Sequence, residues 1–323
     1  MPPKVYVVDP YHKDAIALLK EHNDIDLVLP SDPAKANYHQ DATAIIVRSQ
    51  TRIEASDIEK SKRTLKYIIK QGVGVDNIDV QAAKAHGVKV YNTPGLNGEA
   101  VAELTLSLAL SVSRRIAELD RRIRNGEVVV RSEALGRSLF RKTIGLIGMG
   151  NIGLFVARKW ISAMEGRIIA YDPYAKDGAW EESLPNDKFK RTAVLDELLQ
   201  TADVISLHVP LLDSTRNMLS TREFELMKQD TILLNCARGG IVDESAMLVA
   251  LKSGKLFGAG LDALAIEPAS MDNYGNTLLT CPNVVVTPHV GASTAENQSQ
   301  SGIAVVNILF ELLKGNQPAG CLT

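Results

Sequence analysis

Long hydrophobic runs are missing from this chain: no stretch of its 323 residues reaches about 18 consecutive apolar positions, so the sequence offers no candidate membrane span. Cysteine is scarce. Cys236, Cys281 and Cys321 form no spaced pair, which excludes a disulfide framework or a thiolate metal site, and Cys321 stands third from the end, where no prenylation box fits. The six histidines are scattered without ligand spacing, so no metal is expected. An excess of one charge is also lacking, since 36 basic residues face 38 acidic ones for a formal net charge of −2. That balance gives no electrostatic reason to expect nucleic acid or a membrane surface as partner. Met1 to Tyr11 has neither a basic start nor a long apolar core, and a cytoplasmic protein without a signal peptide is the expectation. What remains, 45% hydrophobic and 23% charged, is an ordinary globular composition at a length suited to about two domains.

Strand-like and helix-like runs alternate. Lys4 to Val8, Ala44 to Val47, Tyr67 to Ile69 and Val88 to Tyr91 read as strands, with helices such as Ala15 to Lys20 and Val80 to His86 between them, so the first part reads as a βα-alternating domain. Gly98 to Gly126 keeps helical spacing through Val101, Leu104, Leu108 and Val112 and is expected as one long helix. Alternation then resumes with strands near Thr143 to Ile147, Arg167 to Tyr171, Val204 to Leu207, Thr231 to Leu234, Phe257 to Leu261 and Val284 to Val286. Ser220 with Glu223, and Ser293 with Glu296, have capping-box spacing. The last helix, about Ser293 to Lys314, either seals the second domain or completes the first; periodicity leaves both open.

The most specific motif is Gly148-Met149-Gly150-Asn151-Ile152-Gly153, between the run Thr143 to Ile147 and a helix-like stretch from Leu154 to Glu165. Gly148 permits a tight turn, Gly150 lets backbone approach a pyrophosphate, and Gly153 allows close packing of helix on strand. The N–H groups that open the helix, with its positive dipole end, then face phosphate oxygens. The following strand-like run ends in Asp172, placed to accept hydrogen bonds from an adenosine ribose. Fingerprint and acid together indicate NAD. Asp172 repels a 2′-phosphate and Pro173-Tyr174 supplies no adjacent arginine for one, although Lys176 leaves a minor NADP use open.

Open α/β sheets bind ligands outside the carboxyl ends of their strands. Arg238, Glu267 and His289 each follow such a strand end, on the edge that carries Gly150. Alone, each residue fits a structural role; together beside a nicotinamide site they suit reduction of a 2-oxo acid. A histidine can supply the proton as charge develops on the ketone oxygen, a carboxylate can orient it and favour its charged form, and a guanidinium can hold the substrate carboxylate.

Over almost its whole length the chain resembles the D-isomer-specific 2-hydroxyacid dehydrogenases, through Gly72-Val73-Gly74-Val75-Asp76-Asn77-Ile78-Asp79, Asn92-Thr93-Pro94-Gly95, Ala100 to Leu104, the glycine fingerprint, Asn235 to Gly240, and Pro288 to Ala292. The resemblance implies a Rossmann domain, residues 98–291, inserted into a flavodoxin-like substrate domain made of 1–97 and 292–323. It implies catalysis by Arg238, Glu267 and His289. For NAD it implies contacts from Gly148, Gly150, Asn151, Ile152, Gly153, Asp172, His208, Val209, Pro210, Thr215, Cys236, Ala237, Arg238, Asp262, His289 and Gly291. It also implies a homodimer joined through the nucleotide domains, with Gly98 to Gly126 in the interface.

The subgroup most resembled is D-3-phosphoglycerate dehydrogenase, through Ile46-Val47-Arg48-Ser49 and His289 to Thr294. That implies substrate contacts from Arg48, Ser49, Lys70, Gln71, Gly72, Val73, Gly74, Arg238 and His289, with Val73-Gly74 as the carboxylate cradle and Arg131 as a further candidate for phosphate. Lys70-Gln71 stands where Arg-Ala is usual, so a hydroxypyruvate, glyoxylate or other 2-oxo acid reductase is the alternative, with Gln71 available to a polar tail that has no phosphate. No regulatory domain is expected beyond Lys314. A non-enzymatic, NAD-sensing corepressor of similar sequence is the competing class; Glu267 argues against a formate dehydrogenase, whose corresponding residue is a glutamine.

Overall fold

Apolar strands separated by amphipathic helices favour parallel sheets covered on both faces. The computed structural model describes residues 2–275 and 277–323, and the fold divides into two units, Met1–Asn97 with Ala292–Thr323, and Gly98–Gly291.

The first unit runs β1 (Lys4–Val7), α1 (Lys13–Lys20), β2 (Asp26–Val28), α2 (Tyr38–Asp41), β3 (Ala44–Val47), α3 (Ala55–Ser61), β4 (Tyr67–Lys70), α4 (Val80–Ala85) and β5 (Lys89–Tyr91). Its five parallel strands are ordered β2-β1-β3-β4-β5, the flavodoxin-like order. The central strands are rich in Val and Ile because both of their faces are buried.

The second unit runs α5 (Gly98–Ser113), α6 (Ile116–Arg124), β6 (Thr143–Ile147), α7 (Asn151–Met164), β7 (Arg167–Tyr171), β8 (Phe189–Thr192), α8 (Leu195–Thr201), β9 (Val204–Leu207), α9 (Thr221–Leu226), β10 (Thr231–Asn235), α10 (Glu244–Lys252), β11 (Leu256–Leu261), α11 (Met271–Tyr274) and β12 (Val284–Val286). Its seven strands are ordered β12-β11-β10-β9-β6-β7-β8 and all pair in parallel. The chain winds outward from β6 through β7 to β8, then returns to place β9 on the other side of β6. This reversal is the switch point at which Rossmann sheets open a crevice.

A last helix, α12 (Ala295–Leu313), returns to the first unit. Val305, Val306 and Leu309 join Val5, Val7, Ala15 and Leu19 in one core, which answers the question that periodicity left open. Among the described residues no helix is long and apolar enough to cross a membrane.

Three local expectations are corrected. The run from Gly98 to Gly126 is two helices, because Arg115 turns into the left-handed region at φ 55° and the Ser113 carbonyl accepts from the N–H of Arg137 at 2.6 Å. The final helix is capped by Thr294, whose side chain accepts from the N–H of Asn297, so its first turn lies one residue beyond the Ser293 box. Strands β2 and β8, which had no strand signal, form the free edges opposite β5 and β12.

Candidate active site

The fingerprint lies at the switch point. Gly148 follows β6 with φ 104°, and a Cβ there would stand 2.4 Å from the carbonyl oxygen of His208, so the turn after β6 presses on the turn after β9. At Gly153 a Cβ would come within 2.6 Å of the Gly148 oxygen, whereas at Gly150 it would meet nothing of the protein within 4 Å. Gly150 caps α7 without a side chain, leaving the first-turn N–H groups of Asn151, Ile152 and Gly153 directed at that open space. An anion fits here.

Beside it, Asp172 ends β7 and accepts hydrogen bonds from the N–H of Met149 and of Tyr174, each at 2.9 Å, which fixes the carboxylate next to the fingerprint. Asp172, Pro173, Gly178, Glu181, Arg191 and Thr192 line a groove of about 570 Å³. Arg191, which the sequence pattern does not single out, is the cation lining this groove. Its guanidinium already donates to the carbonyls of Ala175 (2.7 Å) and Lys176 (3.1 Å) and pairs with Asp177 at 3.3 Å. An arginine held in this way is poorly placed to receive a 2′-phosphate, and the acids around it repel one. These residues fit NAD, which supplies or accepts the hydride when bound.

Of the other residues expected against the cofactor, His208 bonds the Ser206 hydroxyl through Nε2 at 2.9 Å and buries Nδ1 without a partner, an orphaned polar atom on the switch-point crevice. Burial holds its pKa down to about 4, so it is neutral. Val209 packs against Gly148. Thr215 uses its hydroxyl to tie the following turn, donating to the Pro210 carbonyl at 2.7 Å and accepting from the N–H of Leu212 at 2.8 Å. Burial pushes the Cys236 thiol up to about 12, which makes it an apolar wall rather than a nucleophile.

Three turns on the carboxyl edge of the sheet carry the candidate catalytic residues, and the structure brings them together. Asn235 links two of them, donating to the carbonyls of Arg238 (2.9 Å) and Ala263 (3.3 Å) while accepting from the N–H of Ala237. Gly239 lies directly on the next turn, since a Cβ there would stand 2.0 Å from the Leu264 oxygen. Asp262 fixes the third turn. Its buried carboxylate accepts from the Thr287 hydroxyl at 2.6 Å and from the N–H groups of Val290 and Gly291 at 2.8 Å each, holding His289 between them at φ 56°. Spacing gave no sign of this clamp; the signal was an acid at a strand end, read for its ligand alone.

Nδ1 of His289 meets Oε2 of Glu267 at 3.0 Å and Oε1 at 3.2 Å. This hydrogen bond raises the histidine pKa, against burial and the Arg238 charge, with the Glu267 and Asp262 charges adding to it. Burial would push Glu267 upward, but the hydrogen bond and charge of His289, the Leu264 N–H and the Arg238 charge bring it below the usual carboxylate range. With Nδ1 engaged, Nε2 is the nitrogen left to exchange a proton with a ligand.

In the first unit, Arg48 and Ser49 follow β3, and Lys70 ends β4. Arg48 donates to the Pro10 carbonyl at 3.0 Å. Lys70 is buried and its ammonium donates to the Gln71 carbonyl at 3.0 Å and to the Ser49 hydroxyl at 3.4 Å. The Gln71 amide turns into α12, donating to Ser301 at 2.7 Å and Gln298 at 3.0 Å. Gly72 adopts φ 108° and accepts from the N–H of Thr93, which sends the exposed Val73 and then Gly74 into the loop beyond. Arg131 lies exposed on a turn of the other unit.

A family profile described as D-isomer specific 2-hydroxyacid dehydrogenase, NAD binding domain, matches residues 106–291. A hydroxypyruvate reductase of Thermotoga maritima is 42% identical over 314 residues, covering 96% of this chain and 98% of that protein. A D-3-phosphoglycerate dehydrogenase of Methanocaldococcus jannaschii is 39% identical over 316 residues, which cover 97% of this chain but 58% of that longer protein. Among solved structures, a D-lactate dehydrogenase of Aquifex aeolicus complexed with NAD and lactic acid superposes with a TM-score of 0.82 at 28% identity, over 99% of this chain and 98% of that one.

Proposed function

The chain belongs to the D-isomer specific 2-hydroxyacid dehydrogenase family and is an NAD-dependent oxidoreductase of 2-oxo and 2-hydroxy acids, and from that premise we propose that its substrate is a small unphosphorylated 2-oxo acid of the hydroxypyruvate and glyoxylate class. The observation that carries this choice is Lys70. A phosphate site needs a cation free to meet a dianion, but this ammonium is buried and directed to the Gln71 carbonyl and the Ser49 hydroxyl. The Gln71 amide nitrogen beside it is likewise directed to Ser301 and Gln298 of α12. Support comes from the hydroxypyruvate reductase of T. maritima, matched over nearly the full length of both chains. Arg48, which keeps a guanidinium at the end of β3, favours 3-phosphohydroxypyruvate as the second reading.

The proposed chemistry uses three side chains. His289 gives its Nε2 proton to the ketone oxygen as hydride reaches the carbonyl carbon, and takes it back in the oxidation direction. Glu267 holds the ring by Nδ1 and stabilises the imidazolium. Arg238 binds the substrate carboxylate beside the carbonyl.

Initial rates with NADH against hydroxypyruvate, glyoxylate, pyruvate and 3-phosphohydroxypyruvate test the substrate, each repeated for Arg48→Ala and Lys70→Met. The proposal expects kcat/KM for hydroxypyruvate to exceed that for its phosphorylated form by on the order of a hundredfold. A preference for the phosphorylated acid that collapses selectively in Arg48→Ala and Lys70→Met reverses the choice.

A further inference from the structure

The segment that carries Glu267 presents three successive backbone N–H groups, and each has a different acceptor. Leu264 donates to Oε1 of Glu267 itself at 3.1 Å. Ala265 donates to Oε1 of Glu244 at 2.7 Å, and Ile266 donates to the Tyr274 phenol oxygen at 2.9 Å. The Tyr274 hydroxyl then donates to Oε2 of Glu244 at 2.9 Å. Glu244 therefore grips the segment twice, once directly and once through Tyr274.

Both grips come from ordered elements. Glu244 is the first residue of α10, where the helix dipole favours a carboxylate, and Asp243 caps the same helix through the N–H groups of Ser245 and Ala246. Tyr274 is the buried last residue of α11. On the opposite side Gly239 presses on the Leu264–Ala265 peptide. A main chain pinned at 264, 265 and 266 leaves little freedom for the side chain that follows.

We propose that Glu244 and Tyr274 are positioning residues: by fixing the main chain at Ala265 and Ile266 they hold the Glu267 carboxylate against Nδ1 of His289. The functional consequence rests on the proton-donor role proposed above for His289. The charges acting on His289 are Glu267 and Asp262, which favour the imidazolium, and Arg238, which opposes it. Glu267 itself faces His289, Arg238 and the Tyr274 phenol. A change at Glu244 thus reaches His289 through the placement of Glu267. Tyr274→Phe removes no charge at neutral pH, because burial, with the Glu244 and Glu267 charges, pushes that phenol up to about 12 despite the Ile266 N–H.

Histidine-selective NMR titration of the full chain saturated with NAD, with the His289 signal assigned by its loss in His289→Gln, reads the effect directly. Tyr274→Phe and Glu244→Gln should each lower the His289 midpoint by about half a unit, and Glu244→Ala by about a unit, approaching Glu267→Gln. The alkaline limb of ketone reduction should move by the same amounts while NADH affinity stays constant. A wild-type midpoint in both Tyr274→Phe and Glu244→Gln, with Glu267→Gln shifted, overturns the proposal. Shifted midpoints with an unmoved rate profile support the clamp and instead remove His289 as proton donor. Tyr274→Phe lacks a single oxygen and decides the question if Glu244→Ala does not fold.

Discussion

His289 and Glu267 meet through Nδ1 and Oε2 at 3.0 Å, with the histidine main chain held at φ 56° by the carboxylate of Asp262, which follows the neighbouring strand β11. The pair therefore faces its ligand through one nitrogen in one orientation.

From this pairing follows a pH dependence whose sign is fixed. Because Glu267 raises the His289 pKa, ketone reduction should be flat below that raised value and fall tenfold per pH unit above it, with the mirror behaviour for oxidation. Glu267→Gln should move both limbs to lower pH by about one unit. His289→Gln should lower kcat by roughly a thousandfold and leave NADH binding intact. Rate profiles in both directions, with NADH fluorescence titration, check these outcomes.

Arg238 is expected to act through the geometry of its fork as well as its charge. Arg238→Lys keeps the charge and loses the paired donors, so kcat/KM for the 2-oxo acid should fall by about a hundredfold, mostly in KM. Steady-state rates over a range of substrate concentrations measure the split, and an unchanged KM would refute the assignment.

Cofactor preference should respond to Asp172 only in combination with a new cation. Arg191 is already tied to two carbonyls and to Asp177, so Asp172→Ser should weaken NADH binding by about tenfold without creating tight NADPH binding. Adding Tyr174→Arg to that variant should reverse the preference. Comparing kcat/KM for the two cofactors in both variants tests the sequence of effects.

Gly239 joins the Arg238 turn to the Glu267 segment at a distance that admits no side chain. Gly239→Ala places a methyl carbon about 2 Å from the Leu264 oxygen and should cost about 2–4 kcal/mol of stability through backbone displacement. Urea unfolding measures the loss, and an unchanged midpoint would show that the two turns separate freely.

The sheet interiors were legible because parallel strands buried on both faces leave continuous apolar runs, as in Ala44 to Val47 and Thr231 to Leu234. The two strands without a signal, β2 and β8, are edges. Phe189 to Thr192 reads Phe-Lys-Arg-Thr, with only its last residue fully buried, and Asp26 to Val28 is three residues long. The break at Arg115 escaped notice because the apolar spacing before it ends without a Gly or Pro. In the site, Arg238, Glu267 and His289 were readable as polar residues at strand ends. Asp262, Glu244 and Tyr274 act on main-chain N–H groups, and such partnerships leave no spacing in the sequence. The Gln71 amide nitrogen bonds Ser301 and Gln298, more than two hundred residues later, a partnership that no local pattern signals.

That late partnership bears on how the protein is made. The sheet β2-β1-β3-β4-β5 leaves the ribosome first, yet its α1 packs against α12, which is synthesised only after residues 98–291. At roughly 5–20 residues per second the wait is on the order of ten to forty seconds. Through that interval Val5, Ala15 and Leu19 lack the surface that will cover them, while the intervening unit holds every strand of its own sheet. The order of birth and the order of completion are thus reversed, and the first-made sheet is where a chaperone would find the most to hold.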